Sequence, residues 1–152
     1  MPPHLRNYTN IAGITEDYFK VREFLLRLGY SEFVYARWDW MITHGYLDKT
    51  AVGKIGIWEE NGEIVGIATF DTRLGVGYCL THPDYWGLKE EMLNYAEEHL
   101  STPEGFEIVI PDTDLRFQDL AARSGYVASQ GKESDAVFYL DQTSLDYELP
   151  EG

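Results

Sequence analysis

Hydrophobic positions along the chain recur with two spacings, and each spacing predicts a different kind of element. Apolar residues three or four positions apart predict helices at residues 15–28, 33–47, 88–100 and 115–123. Short β-rich or fully apolar runs predict strands at residues 4–9, 54–58, 64–72, 76–81, 106–110 and 136–141. Strands that alternate with helices in this way predict a mixed α/β sheet with helices on its faces.

The clearest local signal is the dipeptide Asn61-Gly62, which separates the strands predicted at residues 54–58 and 64–72. Asn-Gly between two β-rich runs favours a type I′ turn, because both residues tolerate a positive φ. The third β-rich run follows at once. We therefore predict an antiparallel meander of three strands at the centre of the sheet.

Composition limits the class of protein. A chain of 152 residues with 44% hydrophobic residues is long enough for one domain with a well-filled core. No run approaches the roughly 18 apolar residues of a membrane span, and the polar N-terminus does not resemble a signal peptide. Cys79 is the only cysteine, so no internal disulfide can form; we expect a buried, inert thiol and a cytoplasmic location.

The formal net charge of −14 excludes further classes of function. A field of this sign repels phosphate backbones and anionic lipids, so we expect neither nucleic-acid nor membrane binding. No His, Cys, Asp and Glu spacing suggests a metal site, and the four histidines are scattered singly.

The loop that follows the meander carries the most specific resemblance. It has the sequence HPDYWG at residues 82–87 and opens the helix predicted at residues 88–100. A hairpin, a third strand and an HPDYxG loop opening a helix resemble the centre of the GNAT acetyltransferase superfamily, where this loop wraps the pyrophosphate of acetyl-CoA. The resemblance implies a GNAT fold, with a mixed, mostly antiparallel sheet of about six to seven strands and helices on both faces.

The loop departs from the family pattern at the positions that would hold the cofactor. Trp86 stands where the family has a basic or amide side chain, and Glu90 and Glu91 lie where free amides should face phosphate. Two carboxylates facing a pyrophosphate should cost more than Lys89 alone can recover. We therefore expect a vestigial site that does not bind coenzyme A in the usual mode. Its residues, by resemblance, are Leu80, Thr81, Trp86, Gly87, Leu88 and Lys89.

A second family feature is also missing. GNAT proteins typically carry N-x-x-A-x-x-L-Y-x-x-x-G-F after the fifth strand, and the Tyr hydroxyl can protonate the leaving thiolate. The matching frame here runs through Leu120, Gly125 and Tyr126, and places Ala121 at the Tyr position. Alanine has no proton to give, so the usual general acid is absent.

A general base would have to be a carboxylate near the central strands. The candidates in the sequence are Glu59, Glu60, Glu63 and Asp71. The three glutamates flank the Asn61-Gly62 turn and are expected at a solvated hairpin tip. No catalytic residue is therefore assigned.

The densest aromatic stretch, residues 33–44, is the candidate substrate or interface segment. In GNAT folds the matching region lines the acceptor-substrate side. Its helical spacing puts apolar side chains on more than one side, so that one face would pack on the sheet and another could meet a ligand or a neighbouring domain. The residues assigned to this surface are Tyr35, Trp38, Trp40 and His44; a wholly buried segment is the alternative.

We interpret residues 1–145 as a single GNAT-like domain and residues 146–152 as a tail or linker. The run LPEG at 149–152 resembles the linker into a second GNAT domain in tandem bacterial GNAT proteins. The expected function is that of a degenerate, non-catalytic domain supporting a catalytic GNAT partner, in the same protein or in a homo-oligomer. Two alternatives stand: an active acetyl-CoA-dependent N-acetyltransferase for a small amine, and a small-ligand or protein-interaction domain.

Overall fold

A computed structural model of the protein describes residues 2–29 and 32–129. Its strands are β1 (His4–Asn7), β2 (Gly56–Glu60), β3 (Glu63–Asp71), β4 (Arg73–Thr81) and β5 (Glu107–Ile108). Its α-helices are α1 (Glu16–Leu28), α2 (Tyr35–Thr43), α3 (Lys89–His99) and α4 (Leu115–Arg123). Two short 3-10 turns, Val52–Lys54 and Pro83–Leu88, precede β2 and α3. No helix in these two ranges is both long and apolar enough to cross a membrane.

The five strands form one sheet in the order β1-β2-β3-β4-β5. The first three pairings are antiparallel, and β4 pairs with β5 in parallel. Asn61 and Gly62 form the β2–β3 turn with φ values of 54° and 80°, as a type I′ turn requires. The predicted meander is therefore confirmed.

Helices cover both faces of this sheet. On one face α3 packs close to β2 and β3, because a Cβ added to Gly56 would lie 2.7 Å from a ring carbon of Tyr95 and one added to Gly66 would lie 3.2 Å from the Met92 sulfur. On the other face, α1 and α2 pack around Trp38, and the ring of Phe33 lies 4.9 Å from that of Tyr78. The predicted architecture, a mostly antiparallel mixed sheet with helices on both faces, is confirmed.

Two predicted elements and the number of strands differ from the structure. The strand predicted at residues 106–110 has two residues, since only Val76 and Gly77 of β4 pair with it. The aromatic helix ends at Thr43, because His44 has an extended backbone with φ of −85° and ψ of 148°. The described residues form five strands against the six to seven expected. The strand predicted at 136–141 and the tail at 146–152 lie outside them.

An ion cluster joins the edge strand to the rest of the fold. The Arg6 guanidinium donates two hydrogen bonds to Asp17 (2.8 and 3.0 Å) and one to Glu59 (2.7 Å). The Arg6 hydrogen bond holds the pKa of Glu59 below its usual range. Burial opposes ionisation of Asp17, but hydrogen bonds from Arg6 and from the Thr9 amide outweigh it and lower its pKa.

Replacing Arg6 by methionine would leave the carboxylates of Asp17 and Glu59 largely buried without their cation. We expect the free energy of unfolding at pH 7 to fall by about 3 kcal/mol in urea titrations. Because both pKa values are lowered in the folded chain, this contribution is present above the ordinary carboxyl pKa and is lost as the pH falls below about 4. The R6M deficit should therefore shrink in acid. A deficit equal to that of R73M, which changes an exposed arginine, would contradict the assignment.

Candidate functional site

The candidate site lies where β4 continues past its parallel partner. The last hydrogen bond recorded between β4 and the β5 segment runs from the Val109 amide to the Gly77 carbonyl (2.9 Å). Alternate carbonyls of a strand point to the same side, so the Cys79 carbonyl faces the same edge two residues further on. We call the gap beside this carbonyl, between β4 and α4, the notch.

The side chain of Lys89 fills the notch. Its ammonium donates to the Cys79 carbonyl and lies 4.4 Å from the centroid of the Phe117 ring. Lys89 is only 5% exposed, and within the described ranges no carboxylate lies within 4.0 Å of its Nζ atom. Burial lowers the pKa of this ammonium. A cation with one main-chain acceptor and one aromatic face is poorly compensated, which makes its position costly.

Lys89 reaches the notch because it is the first residue of α3. Helical side chains lean toward the N-terminus of their helix, and the N-terminus of α3 lies beside the end of β4. The sequence predicted Lys89 as a loop cation facing a phosphate. In the structure its charge instead points into the protein.

The loop between β4 and α3 has already used several of its amides. The Asp84 amide donates to Nδ1 of His82 (3.1 Å), the Tyr85 amide to the His82 carbonyl (2.8 Å), and the Lys89 amide to the Trp86 carbonyl. A phosphate-binding loop needs successive amides that are free to face the anion. Gly87 has no positive φ, and a Cβ added to it would meet no atom within 4 Å, so the conformation does not require glycine there.

Arg116 is a site residue that the sequence analysis missed. Its guanidinium carbon lies 3.6 Å from the centroid of the Trp86 indole. Arg116 belongs to α4, thirty residues after Trp86, and only the packing of α4 beside the loop brings the two together. No short-range motif could have indicated this pair. The loop therefore has a neighbouring cation, although not at the position where the family motif places one.

The remaining predicted cofactor residues divide by burial. Leu80 and Thr81 are buried within β4, where they pair with Ile67 and Gly66 of β3. Leu88 is half-buried and ends the 3-10 turn. Only Trp86, Gly87 and Leu88 of the six predicted positions thus present surface to solvent.

Each candidate general base is engaged with another side chain. Glu59 binds Arg6, Glu60 accepts from the Tyr85 hydroxyl, Glu63 lies 3.8 Å from Arg27, and Asp71 accepts from Arg37 (2.7 Å). The hydrogen bond to Glu60 raises the pKa of Tyr85. Within residues 2–29 and 32–129, no group of three His, Cys, Asp or Glu side chains could hold a metal ion.

The position of the missing general acid is buried. Ala121 is 4% exposed on the inner side of α4, whereas Gly125 of the same frame is exposed. The nearby hydroxyl of Tyr126 lies 3.2 Å from a carboxylate oxygen of Glu97, and burial raises the pKa of this tyrosine. The Tyr126 hydroxyl therefore donates its proton to Glu97 of α3.

The aromatic segment splits between the core and the surface. Trp38 is fully buried, its indole N–H donates to the Tyr18 carbonyl (3.1 Å), and it cannot contact a ligand in this structure. Tyr35 and Trp40 are 40% and 38% exposed. Trp40 lies between Arg37 and His44, whose planar groups are 4.3 and 4.1 Å from its ring. Tyr35, Trp40 and His44 therefore remain available for a surface role.

Comparisons with known proteins add little to this geometry. No protein-family model matches the chain, and no curated protein matches its sequence. Among solved structures, the chain is similar to a ribosomal-protein-alanine N-acetyltransferase from Brucella melitensis biovar Abortus 2308. The two are 14% identical with a TM-score of 0.49, over 90% of this chain and 99% of the other. A likeness of this degree does not establish a shared fold or activity.

The buried ammonium predicts a specific pH dependence. Because the pKa of Lys89 is lowered in the folded chain, the unfolded chain binds more protons at alkaline pH below the ordinary lysine value. The stability of the wild-type protein should therefore rise relative to Lys89→Met as the pH rises from 7 toward 10, by at most about 1.4 kcal/mol per pH unit. Urea titrations of both proteins measure the difference. A difference that stays constant with pH would show that the ammonium is solvated.

The thiol of Cys79 should be inert in the folded protein. It is buried, and burial raises its pKa to about 12. Because the thiolate is the reactive form, we expect iodoacetamide at pH 8 to modify Cys79 only as fast as the protein unfolds. Mass spectrometry with and without urea measures both rates. Rapid labelling without urea would mean that β4 is accessible in the native state.

Proposed function

We propose that this chain is a GNAT-like domain that does not itself bind acetyl-CoA and that supports a catalytic GNAT domain. The observation that carries the proposal is the ammonium of Lys89 on the Cys79 carbonyl. By the family resemblance, strand backbone groups in the cleft between the fourth and fifth strands would hold the pantetheine of the cofactor, and its phosphates would meet the loop that follows. Here both places are occupied by groups of the chain itself.

Cofactor binding would have to break contacts at both places. A ligand in the notch would displace an ammonium that is already desolvated, and the Cys79 carbonyl would need a new donor. At the loop, the Lys89 amide, which donates to the Trp86 carbonyl, would have to turn outward. Each hydrogen bond lost without replacement costs about 1–3 kcal/mol, so the sum removes much of a micromolar binding energy.

The charge around the loop opposes the same ligand. Residues 83–129, which include the loop, α3 and α4, contain ten acidic and three basic residues. Glu90 and Glu91 are exposed in the first turn of α3, and Glu91 accepts from the Trp58 indole N–H (3.1 Å). Carboxylates at this position stabilise the N-terminus of the helix, and they repel a polyanion bound beside it.

One observation favours the alternative of an active acetyltransferase. Arg116 lies over Trp86 without a carboxylate within 4.0 Å among the residues described, so a cation stands beside the loop. A phosphate could draw on this charge in place of the basic residue that the motif lacks. The loss of the general acid at Ala121 stands against this alternative.

The supporting role needs a surface for the partner domain, and the exposed side of α2 offers one. Tyrosine, tryptophan and arginine are enriched at interfaces, and the partly exposed Tyr35 and Trp40 belong to these types. Arg37 and His44 both contact the Trp40 ring. The catalytic domain would be a second GNAT domain of the same protein or another subunit. A protein-interaction domain without any catalytic partner is the second alternative.

Calorimetric titration with acetyl-CoA and with coenzyme A tests the proposal. We expect no binding at millimolar cofactor in low or physiological salt, and no acetyl transfer to small amines by the chain alone. Micromolar binding that is lost in Arg116→Met but kept in Arg123→Met would overturn the proposal in favour of the enzyme. Arg123 is a matched control because it is an exposed arginine of α4 already paired with Asp119 (3.0 Å).

A further inference from the structure

A depression of about 250 Å³ opens on the side of the sheet that carries α1 and α2, between the segment before α1 and the end of α2. It is lined by the segments 12–14 and 42–45 and by Lys49. Its walls include the apolar side chains of Ile14 and Ile42, and Ile14 is 66% exposed at the rim. The cavity is smaller than the pockets of drug-sized ligands, so only a small molecule would fit.

Two polar groups at this depression have unused donors. The Tyr46 amide donates to Nδ1 of His44 (3.1 Å), so the neutral imidazole carries its proton on Nε2. No partner of that Nε2 atom is recorded in the part of the chain that the structure describes. His44 lines the depression and therefore brings an N–H donor to it, on a ring that stacks on Trp40 with 4.1 Å between the centroids.

Lys49 supplies a charge that its neighbour does not neutralise. The adjacent carboxylate, Asp48, accepts from the amide and the hydroxyl of Thr50 (3.1 and 2.6 Å). Arg22 and Arg37 on the same side of the sheet lie within 4.0 Å of carboxylates, whereas Lys49 has none that close among the described residues. An unpaired lysine at a concave surface is a distinct feature in a chain of net charge −14.

The glycine at the wall gives a third, independent observation. Gly45 has no positive φ, and a Cβ built on it would meet no atom within 4 Å. Neither conformation nor packing therefore requires glycine at this position. Gly45 therefore leaves open space where it lines the depression.

We propose that this depression binds a small organic monocarboxylate. The carboxylate would accept from the Lys49 ammonium and from Nε2 of His44, while its apolar body would lie against Ile14 and Ile42. A monoanion is favoured over a phosphate dianion because the negative field of the whole chain opposes the second charge more than one lysine can offset. This inference does not depend on whether coenzyme A binds, because no residue that lines the depression belongs to the notch or to the loop after β4; it shares His44 with the surface proposed for the partner domain.

The test is a titration of the ¹⁵N-labelled full chain with sodium benzoate, followed by amide chemical shifts at constant ionic strength. We expect saturable shifts at Gly13 and Gly45, weakened about tenfold in Lys49→Met because one charge-assisted hydrogen bond is lost. Gly45→Leu should abolish the shift at Gly13, because the added side chain would take up space at the lining of the depression. Lys54→Met, which changes an exposed lysine outside the lining, should bind as the wild type does.

Four results would overturn the proposal. They are no saturable shift with benzoate, equal weakening by Lys54→Met, equal binding of uncharged benzyl alcohol, and equal or tighter binding of inorganic phosphate. The third would mean that the depression takes apolar groups without recognising the charge. The last would mean that the depression binds anions in general and that contact with Ile14 and Ile42 does not contribute to binding.

Discussion

The buried ammonium of Lys89 connects three elements that the chain supplies from separate stretches. It belongs to α3, it donates to the backbone of β4, and it lies against the ring of Phe117 from α4. The contact satisfies a strand carbonyl that has no partner from β5. Since a buried main-chain carbonyl without a donor costs about as much as a lost hydrogen bond, Lys89 replaces a missing strand contact.

The position of the Lys89 side chain and the conformation of the loop before α3 depend on each other. The Lys89 side chain can lie in the notch only if α3 starts close to the end of β4, and the 3-10 turn of Pro83–Leu88 provides that start. Within that 3-10 turn the Lys89 amide donates to the Trp86 carbonyl, whereas a phosphate-binding loop would leave such an amide free. The occupied notch and the closed loop are thus two consequences of one local geometry.

Local signals in the sequence were sufficient for most of the architecture. Asn61-Gly62 set the hairpin through its two positive φ values, and Gly29 ended α1 in the left-handed conformation with φ of 63°. These features depend on neighbouring residues only, so the sequence could predict them. The two-residue length of β5 depends on how far another strand stays alongside β4, and no pattern within residues 106–110 encodes that.

The candidate site was less predictable because its decisive contacts are long-range. The sequence showed that the family's loop residues were absent, but it could not show that Lys89 turns inward or that Arg116 covers Trp86. Both depend on the placement of α4 beside α3. Trp38 was assigned to the surface group with Tyr35 and Trp40, yet one helical face carries it into the core, where its ring meets that of Tyr8 edge-on at 5.6 Å.

The net charge of the chain is divided unequally between the two faces of the sheet. Residues 16–54, which include α1, α2 and the segment up to β2, contain six basic and six acidic residues. Residues 83–129, which supply α3 and α4, contain three basic and ten acidic residues, and one of the three basic residues is the buried Lys89. Electrostatic repulsion of an anion is therefore strongest on the face that carries the loop. Any anionic ligand of this chain should meet less opposition on the α1–α2 face, where Lys49 remains unpaired among the described carboxylates.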